Sequence, residues 1–285
     1  MRAGGSKRPD HRPDASTPAT RRSPRVLAVI QARLGSTRLP GKTLTDIAGR
    51  PMLAHVLHRT AAIPGVDGVV LATTVSPHDD RLVQWAIETG VSCVRGSEED
   101  VLDRFHTTLA RHPADAVVRV TPDCPLIDPE VSGSVIAEWR RHPSELDYVS
   151  NTHPPTFPDG LDTEVVSREA LETAWREATL PSDREHVTPF IWQRPGRFRL
   201  FNVVHSEEDL SSHRWTVDTA ADLDFVRAVY ERLGPTGTRR FGMSEVLALL
   251  AKHPELRTLN AGQRRNEGYA RSLARDAALR EGLHP

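Results

Sequence analysis

Val26-Leu27-Ala28-Val29-Ile30-Gln31-Ala32-Arg33-Leu34-Gly35-Ser36-Thr37-Arg38-Leu39-Pro40-Gly41-Lys42 joins two unlike halves. Its first five residues are apolar and three of them are β-branched, the composition of a strand buried on both faces. The second half holds two glycines, two hydroxyls and three cations, Arg33, Arg38 and Lys42. Glycine lets backbone N–H groups come close to phosphate oxygens, and the three cations can neutralise a polyphosphate. The stretch therefore predicts a first strand that opens into an anion cradle. It is not a P-loop: Gly35 and Gly41 stand one residue too far apart, although Thr43 follows Lys42 directly.

The segments that follow alternate strand and helix periodicity. Pro51 suits a first helical turn, with Met52, Leu53, Val56 and Leu57 facing inward. Residues 69–74 read as a second strand, and Leu82, Val83, Ala86 and Ile87 as a helix stopped by Gly90. Residues 91–94 make a third strand. Val101, Leu102, Phe105 and Leu109 share a helical face behind Glu98, Glu99 and Asp100, which suit a helix N-terminus, and residues 116–120 make a fourth strand. Such alternation implies a parallel sheet with right-handed crossovers: an α/β fold, a three-layer α/β/α, Rossmann-like and mostly parallel sheet. Ligands bind beyond the carboxyl ends of such strands, where the cradle and residues 121–125 both lie.

Asp128-Pro129 starts another helix, carrying Val131, Val135, Ile136 and Trp139. Residues 147–151 and 161–166 read as strands, the second preceded by an Asp159-Gly160 turn. Ser167 caps a helix, and Ser182 with Glu185 reads as a capping box. Residues 198–204 and 214–217 return to strand character, and residues 220–233 are helical. Residues 243–251 and 262–273 suit two further helices. Trp139, Trp175 and Trp192 occupy apolar helical positions and read as core.

The 285 residues are 38% hydrophobic, enough for a substantial core, and no run approaches the ~18 apolar residues of a membrane span. Cys93 and Cys124 form neither a disulfide framework nor a zinc pattern, which fits a reducing cytoplasm. The first 25 residues carry seven Lys or Arg against two Asp, leaving 30 basic and 36 acidic residues in the rest. A mildly acidic body argues against a nucleic-acid footprint. Residues 1–24, rich in Pro, Gly, Ser and Arg, read as a disordered basic tail.

Residues 31–42 resemble the Q/P-A-R-x-x-S-T-R-x-P-x-K signature of the sugar-acid cytidylyltransferases, the group that includes CMP-sialic acid and CMP-Kdo synthetases. Further motifs are similar to the branch of SpsF-like (spore coat polysaccharide biosynthesis) cytidylyltransferases. They are Gly96-Ser-Glu-Glu-Asp-Val-Leu-Asp-Arg-Phe105, Asp123-Cys-Pro-Leu-Ile-Asp128, Tyr148-Val-Ser-Asn-Thr152, Pro158-Asp-Gly-Leu-Asp162, Arg184-Glu-His-Val-Thr-Pro189 and Arg214-Trp-Thr-Val-Asp218. The ending, Asn260 and Arg265-Asn-Glu-Gly-Tyr269, is similar too.

The resemblance implies transfer of CMP from CTP to a sugar acid or a related acidic or phosphorylated acceptor. Pyrophosphate is released, Mg²⁺ is the cofactor, and the setting is surface-polysaccharide or specialised-metabolite biosynthesis. It implies a nucleotidyltransferase domain over residues 25–234, of the nucleotide-diphospho-sugar transferase or GT-A type. A helical extension over residues 235–285 packs on that domain or at the interface of a homodimer. Arg33, Arg38 and Lys42 become the catalytic cations. Gln31, Ala32, Arg33, Gly35, Ser36, Thr37, Thr73, Thr74 and Arg104 become nucleotide contacts. Asp123 follows the fourth strand, and its carboxylate suits a hard cation that keeps most of its waters; Asp218 is the second metal ligand by resemblance. Asp162, Glu164, Arg184 and His186 are the acceptor candidates.

Blander readings stand beside these. Asp123 suits a turn or helix cap, Asp218 can cap the helix near Ala220, and Asp162 with Glu164 fits any half-exposed hairpin. Arg104 can pair with acids on its own helix, and Cys124 reads as a small buried thiol rather than a nucleophile. Pro122 stands where the branch commonly has glycine, which removes a backbone donor. The rival functions are a GT-A glycosyltransferase and a catalytically silent binding subunit. The first usually carries Asp-x-Asp after a central strand, where this chain reads Asp123-Cys124-Pro125.

Overall fold

The computed structural model describes residues 22–36, 38–234, 241–263 and 265–281; Thr37 and residues 1–21 of the expected tail lie outside the described residues. The chain runs through β1 (Val26–Gln31), a small hairpin of β2 (Asp46–Ile47) and β3 (Arg50–Pro51), α1 (Met52–Ala61), β4 (Gly68–Thr74) and α2 (Asp80–Thr89). Next come β5 (Ser92–Gly96), α3 (Val101–Arg111), β6 (Ala116–Val120) and α4 (Pro129–Arg141). The second half contains β7 (Tyr148–Ser150), β8 (Glu164–Ser167), α5 (Arg168–Glu177), α6 (Pro181–His186), α7 (Pro189–Trp192), β9 (Leu200–Asn202) and α8 (Ala220–Leu233). It closes with α9 (Met243–Lys252) and α10 (Glu267–Arg280).

Seven strands form one sheet in the order β5-β4-β1-β6-β8-β7-β9. The β5-β4-β1-β6 half is parallel throughout, β8 runs antiparallel to both β6 and β7, and β9 is parallel to β7. Alternation along β1 supplies both faces. Leu27 and Val29 pack with α3, α5 and α7, while Val26, Ala28 and Ile30 pack with α1, α2 and α4. This is the expected three-layer α/β/α arrangement, and it explains why β1 is apolar at consecutive positions. Strand order reverses between β1 and β6, so the loops after these two strands flank the crevice where such sheets bind ligands.

Several local expectations change. Residues 161–163 do not pair as strand, because Asn151 takes the place of a neighbouring backbone: its Nδ2 donates to the Leu161 carbonyl at 2.9 Å and its Oδ1 accepts from Thr163 N at 2.8 Å. Residues 214–217 stay outside the sheet, since Trp215 N and Val217 N donate to the Asp159 and Asp123 carbonyls at 2.7 and 2.8 Å. Ser182 caps nothing; its hydroxyl donates to Asp276 Oδ2 of α10 at 2.5 Å. The last helix begins at Glu267 rather than near Gly262. Of the three tryptophans read as core, Trp139 is fully buried while Trp175 and Trp192 are partly exposed.

A third apolar cluster joins α8, α9 and the turn at Leu256 to Trp215, Val217 and Leu126, so these C-terminal elements pack onto the sheet domain. α10 lies against α6. Both cysteines are free, and no helix among the described residues is long and apolar enough to cross a membrane.

Gly160 holds the Asp159 loop against residues 214–216. Its φ is +105°, and a Cβ there would lie 2.8 Å from the backbone of Trp215 and of Thr216. Gly160→Ala should destabilise the protein by about 2 kcal/mol or more, combining left-handed strain with a clash that backbone cannot relieve. Denaturant unfolding monitored by tryptophan fluorescence checks this, and a loss under about 0.5 kcal/mol would contradict it.

Candidate active site

Backbone bonds bring three separate segments to the crevice. The loop after β6 is stitched to residues 216–217, where the Asp123 carbonyl accepts from Val217 N at 2.8 Å and from Thr216 Oγ1 at 3.1 Å. Asp123 and Asp218 are thereby set side by side. Between them comes Lys42 from the end of the cradle, whose Nζ donates to Asp123 Oδ2 at 3.0 Å, Asp218 Oδ1 at 2.9 Å and the Val217 carbonyl at 2.8 Å. Burial draws the Lys42 pKa down, but the two carboxylates outweigh it and hold the ammonium above its ordinary value.

Neither aspartate serves as a helix cap. Asp128 caps α4, accepting from Glu130 N and Val131 N, and Thr219 with Asp222 forms the capping box of α8. Asp218 is left for cations. Besides Lys42 it meets Arg38 Nη2 at 3.0 Å and Arg214 Nη2 at 3.0 Å. Burial pushes its pKa up, yet Lys42, Arg38 and Arg214 together pull it below the ordinary carboxylate value. Asp222, half of the only Asp-x-Asp in the chain, is spent on that cap and on Arg214.

Arg38, Asp123 and Asp218 form one end of a cavity of about 250 Å³. The same cavity is lined by Asp162, Glu164 and His186, with Trp192 and Tyr269. Glu164 is fully engaged. Arg119 Nη1, Tyr148 Oη and Thr188 Oγ1 donate to it at 2.5, 2.7 and 2.6 Å. Burial raises its pKa, but Arg119 and the two hydroxyls more than compensate and keep it ionised. Asp162 is paired with Arg265; burial, with the carboxylates of Asp159 and Glu164 opposing that arginine, pushes its pKa up to about 7. Burial and then the nearby Arg119 lower His186 to about 4, and its Nε2 meets Ser272 Oγ at 3.0 Å. It is therefore a neutral imidazole at pH 7 and a weak base.

Two acceptor expectations need correction. Arg184 does not line the cavity: its Nε and Nη2 donate to Asp100 Oδ2 ahead of α3, at 2.9 and 2.5 Å, and its Nη1 to the Trp175 carbonyl. Asp162 and Glu164 do share the cavity, but they do not share a strand, since β8 begins at Glu164.

The remaining expected nucleotide residues cluster outside this cavity, around the carboxyl ends of β1 and β4. Ala32 N donates to the Ala72 carbonyl and Leu34 N to Asp79, which also accepts from the Thr74 hydroxyl. Arg33 lies 3.6 Å from Glu98, and the side chain of Glu98 passes beside Gly35. Ser36 N closes a tight turn onto the Leu34 carbonyl. Arg104 is buried and donates to the Ser97 carbonyl rather than to acids on its own helix. Desolvation and then Arg33 lower its pKa to about 10. Its Nε, like the Thr73 hydroxyl, is buried without a hydrogen-bond partner among the described residues. Gln31 reaches toward the cavity, accepting from Arg119 Nε at 3.0 Å.

Sequence reasoning gave no role to Arg119, Asp159, Arg214, Arg265, Glu267 or Tyr269. Arg119 carried a signal: a cation near the end of the apolar strand Ala-Val-Val-Arg-Val marks a side chain turned toward a polar site. Arg265 comes from the turn before α10, and Glu267 and Tyr269 from its first turn, which roofs the cavity. Arg38 Nη1 meets Glu267 Oε2 there at 2.9 Å, and Tyr269 packs edge-on to Trp192.

Among the described residues no cluster of three or more His, Cys, Asp or Glu is arranged for a metal. Two carboxylates and a carbonyl around Lys42 Nζ nevertheless form an all-oxygen set already holding a cation. That set suits a hard divalent ion that keeps several waters.

Comparison with known proteins agrees with this architecture. A cytidylyltransferase family model matches residues 27–252. The spore coat polysaccharide biosynthesis protein SpsF of Bacillus subtilis (strain 168) is 32% identical over 239 residues, covering 82% of this chain and 97% of that protein. A 3-deoxy-manno-octulosonate cytidylyltransferase of Maricaulis maris is 42% identical over 128 residues, 42% of this chain and 46% of that protein. The solved structure of a cytidylyltransferase from Leptospira borgpetersenii is similar with a TM-score of 0.78 at 29% identity, covering 85% of this chain and 99% of that one.

Asp162 gives a pH signature with a definite sign. A folded pKa of about 7 against an ordinary 3.8 means that the native state holds this proton more tightly. The associated stability is present at acid pH and is lost as pH rises toward 7 and above. Asp162→Asn, which cannot ionise, should therefore gain stability relative to the parent between about pH 5 and about pH 8. Denaturant titrations at both values check this; a difference independent of pH would contradict it.

Proposed function

This chain belongs to the cytidylyltransferase family, and on that basis we propose that it transfers CMP from CTP to an oxygen of a sugar acid or a related acidic or phosphorylated acceptor. The observation that carries the reading is the meeting of Lys42 with Arg38, Asp123 and Asp218, the last three of which line the cavity. In the reaction the acceptor oxygen attacks the α-phosphorus and forms a P–O bond. The bond to the bridging oxygen breaks, and its electron pair leaves with pyrophosphate.

Little covalent chemistry falls to the protein in such a displacement, so positioning and charge neutralisation dominate. Arg38 and Lys42 stand where the phosphates and the acceptor would meet. Arg33 and the turn at Gly35 and Ser36 hold the nucleotide, with Gln31, Ala32, Thr73, Thr74 and Arg104 on the nucleobase side. The unpartnered Thr73 hydroxyl and Arg104 Nε support a polar guest there. Asp123 and Asp218, with the Val217 carbonyl, are the oxygens that would hold Mg²⁺. When bound, such an ion supplies further charge neutralisation on the phosphates. Asp162, Glu164 and the neutral His186 orient the acceptor.

The names of the relatives support the acceptor class: one acts on 3-deoxy-manno-octulosonate, a sugar acid, and the other is a polysaccharide biosynthesis protein. A surface-polysaccharide or specialised-metabolite setting in a reducing cytoplasm belongs to the same reading, supported by two free cysteines. Pairing of two copies through the C-terminal segment belongs to the same reading, and Leu259, Leu273 and Leu279 are exposed there. The glycosyltransferase reading is weaker, because the only Asp-x-Asp is consumed in capping α8.

Pyrophosphate release should appear with CTP, a divalent cation and one member of a panel of sugar acids, sugar phosphates and phosphonates. Failure with every pair would remove the proposal. Asp123→Asn and Asp218→Asn should each lower kcat by about 10²–10³-fold, the usual loss of one preorganised electrostatic partner. Circular dichroism would show the fold retained, and near-normal turnover in either variant would exclude that residue from the reaction centre.

A further inference from the structure

The ammonium of Lys42 fills a complete cation site. All three of its N–H groups are used, on Asp123 Oδ2, the Val217 carbonyl and Asp218 Oδ1 at 3.0, 2.8 and 2.9 Å. Each partner is a hard oxygen of the kind that holds Mg²⁺ or Mn²⁺. A divalent ion drawing on the same oxygens would need the space that Nζ occupies. The two cations are therefore mutually exclusive.

The structure also indicates which side of this contact moves. The segments that carry the oxygens are tied together: the Asp123 backbone carbonyl is bonded by Val217 N and Thr216 Oγ1, and Asp218 Oδ2 is held by Arg214 Nη2 at 3.0 Å. Arg214 is itself bonded to Asp159 and Asp222, so it cannot follow a shifting carboxylate. Lys42 reaches the site on a four-carbon stem from the end of the cradle loop, whose other cations face anions as well. An anionic triphosphate in that loop offers the ammonium a second set of oxygens.

We propose that Lys42 is the resident counter-ion of the Asp123–Asp218 pair and excludes a divalent cation until a triphosphate draws it away. The metal and the nucleotide then bind as a cooperative pair. The coupling is reciprocal: whatever removes Lys42 from the carboxylates raises their affinity for the metal, and the metal in turn releases Lys42 toward phosphate. The inference rests on the reading of Asp123 and Asp218 as the metal pair.

Mn²⁺ alone, with no nucleotide, provides the test. Binding to the full chain is measured from the electron paramagnetic resonance signal of free Mn²⁺. Lys42→Met should bind Mn²⁺ about tenfold more tightly than the parent or better, within the usual range of coupling between sites. Lys42→Arg, which keeps a cation in place, should stay as weak as the parent, and Asp123→Asn added to Lys42→Met should abolish the gain. Equal affinity in the parent and Lys42→Met, with loss in Asp123→Asn, overturns the exchange and leaves the metal pair standing. No binding in any variant overturns both. Loss of a counter-ion can itself unfold the chain, so thermal unfolding is run with and without Mn²⁺. A Lys42→Met protein that Mn²⁺ refolds or stabilises more than the parent supports exchange. If Mn²⁺ does neither, and Lys42→Gln is folded yet binds no more tightly than the parent, the exchange is overturned. A failure to release pyrophosphate from CTP would not affect any of these outcomes, because no nucleotide is present.

Discussion

Three oxygens around one ammonium hold this site together. Asp123 comes from the end of a central strand, Asp218 from an extended segment before α8, and Lys42 from the far end of the cradle. Two half-buried carboxylates side by side would repel each other. Lys42 removes that conflict, and Arg214 and Arg38 complete the balance on Asp218. The loops after β1 and β6 can therefore approach closely enough to make a crevice of the switch point.

The parallel half of the sheet was legible because its signals are local. A strand buried on both faces writes itself as an apolar run, as β1 and β6 do, and Gly90 stops α2 at φ 70° as its position implied. The second half was harder to read because side chains there replace backbone partners. Asn151 takes the bonds that would have extended β8 toward Leu161, and Ser182 spends its hydroxyl on Asp276, 94 residues away. Neither substitution leaves a mark in a short window of sequence.

The site divides along the same line. Arg38, Lys42 and Asp123 meet beyond the parallel strands β1 and β6, and Asp218 joins them from a position that only the family resemblance suggested. Arg184 was misplaced because a charged residue in a motif carries no label distinguishing a ligand contact from a tie between helices. Here it binds Asp100 and two carbonyls and holds α6 against α3. Arg265, Glu267 and Tyr269 were visible as a motif without a role, since only the folded chain brings α10 across Asp162, Arg38 and Trp192.

That the roof of the cavity is drawn from α10 has a consequence for synthesis. Residues 26–120 supply the whole parallel half of the sheet, so all four of its strands have left the ribosome long before α10 is made. The acceptor end stays open until Arg265–Asp276 emerge and dock on Asp162, Arg38 and Ser182, after separations of 103, 229 and 94 residues. The cradle therefore precedes its enclosure in time, and a nascent or C-terminally clipped chain keeps the cradle while its acceptor chamber lacks a ceiling.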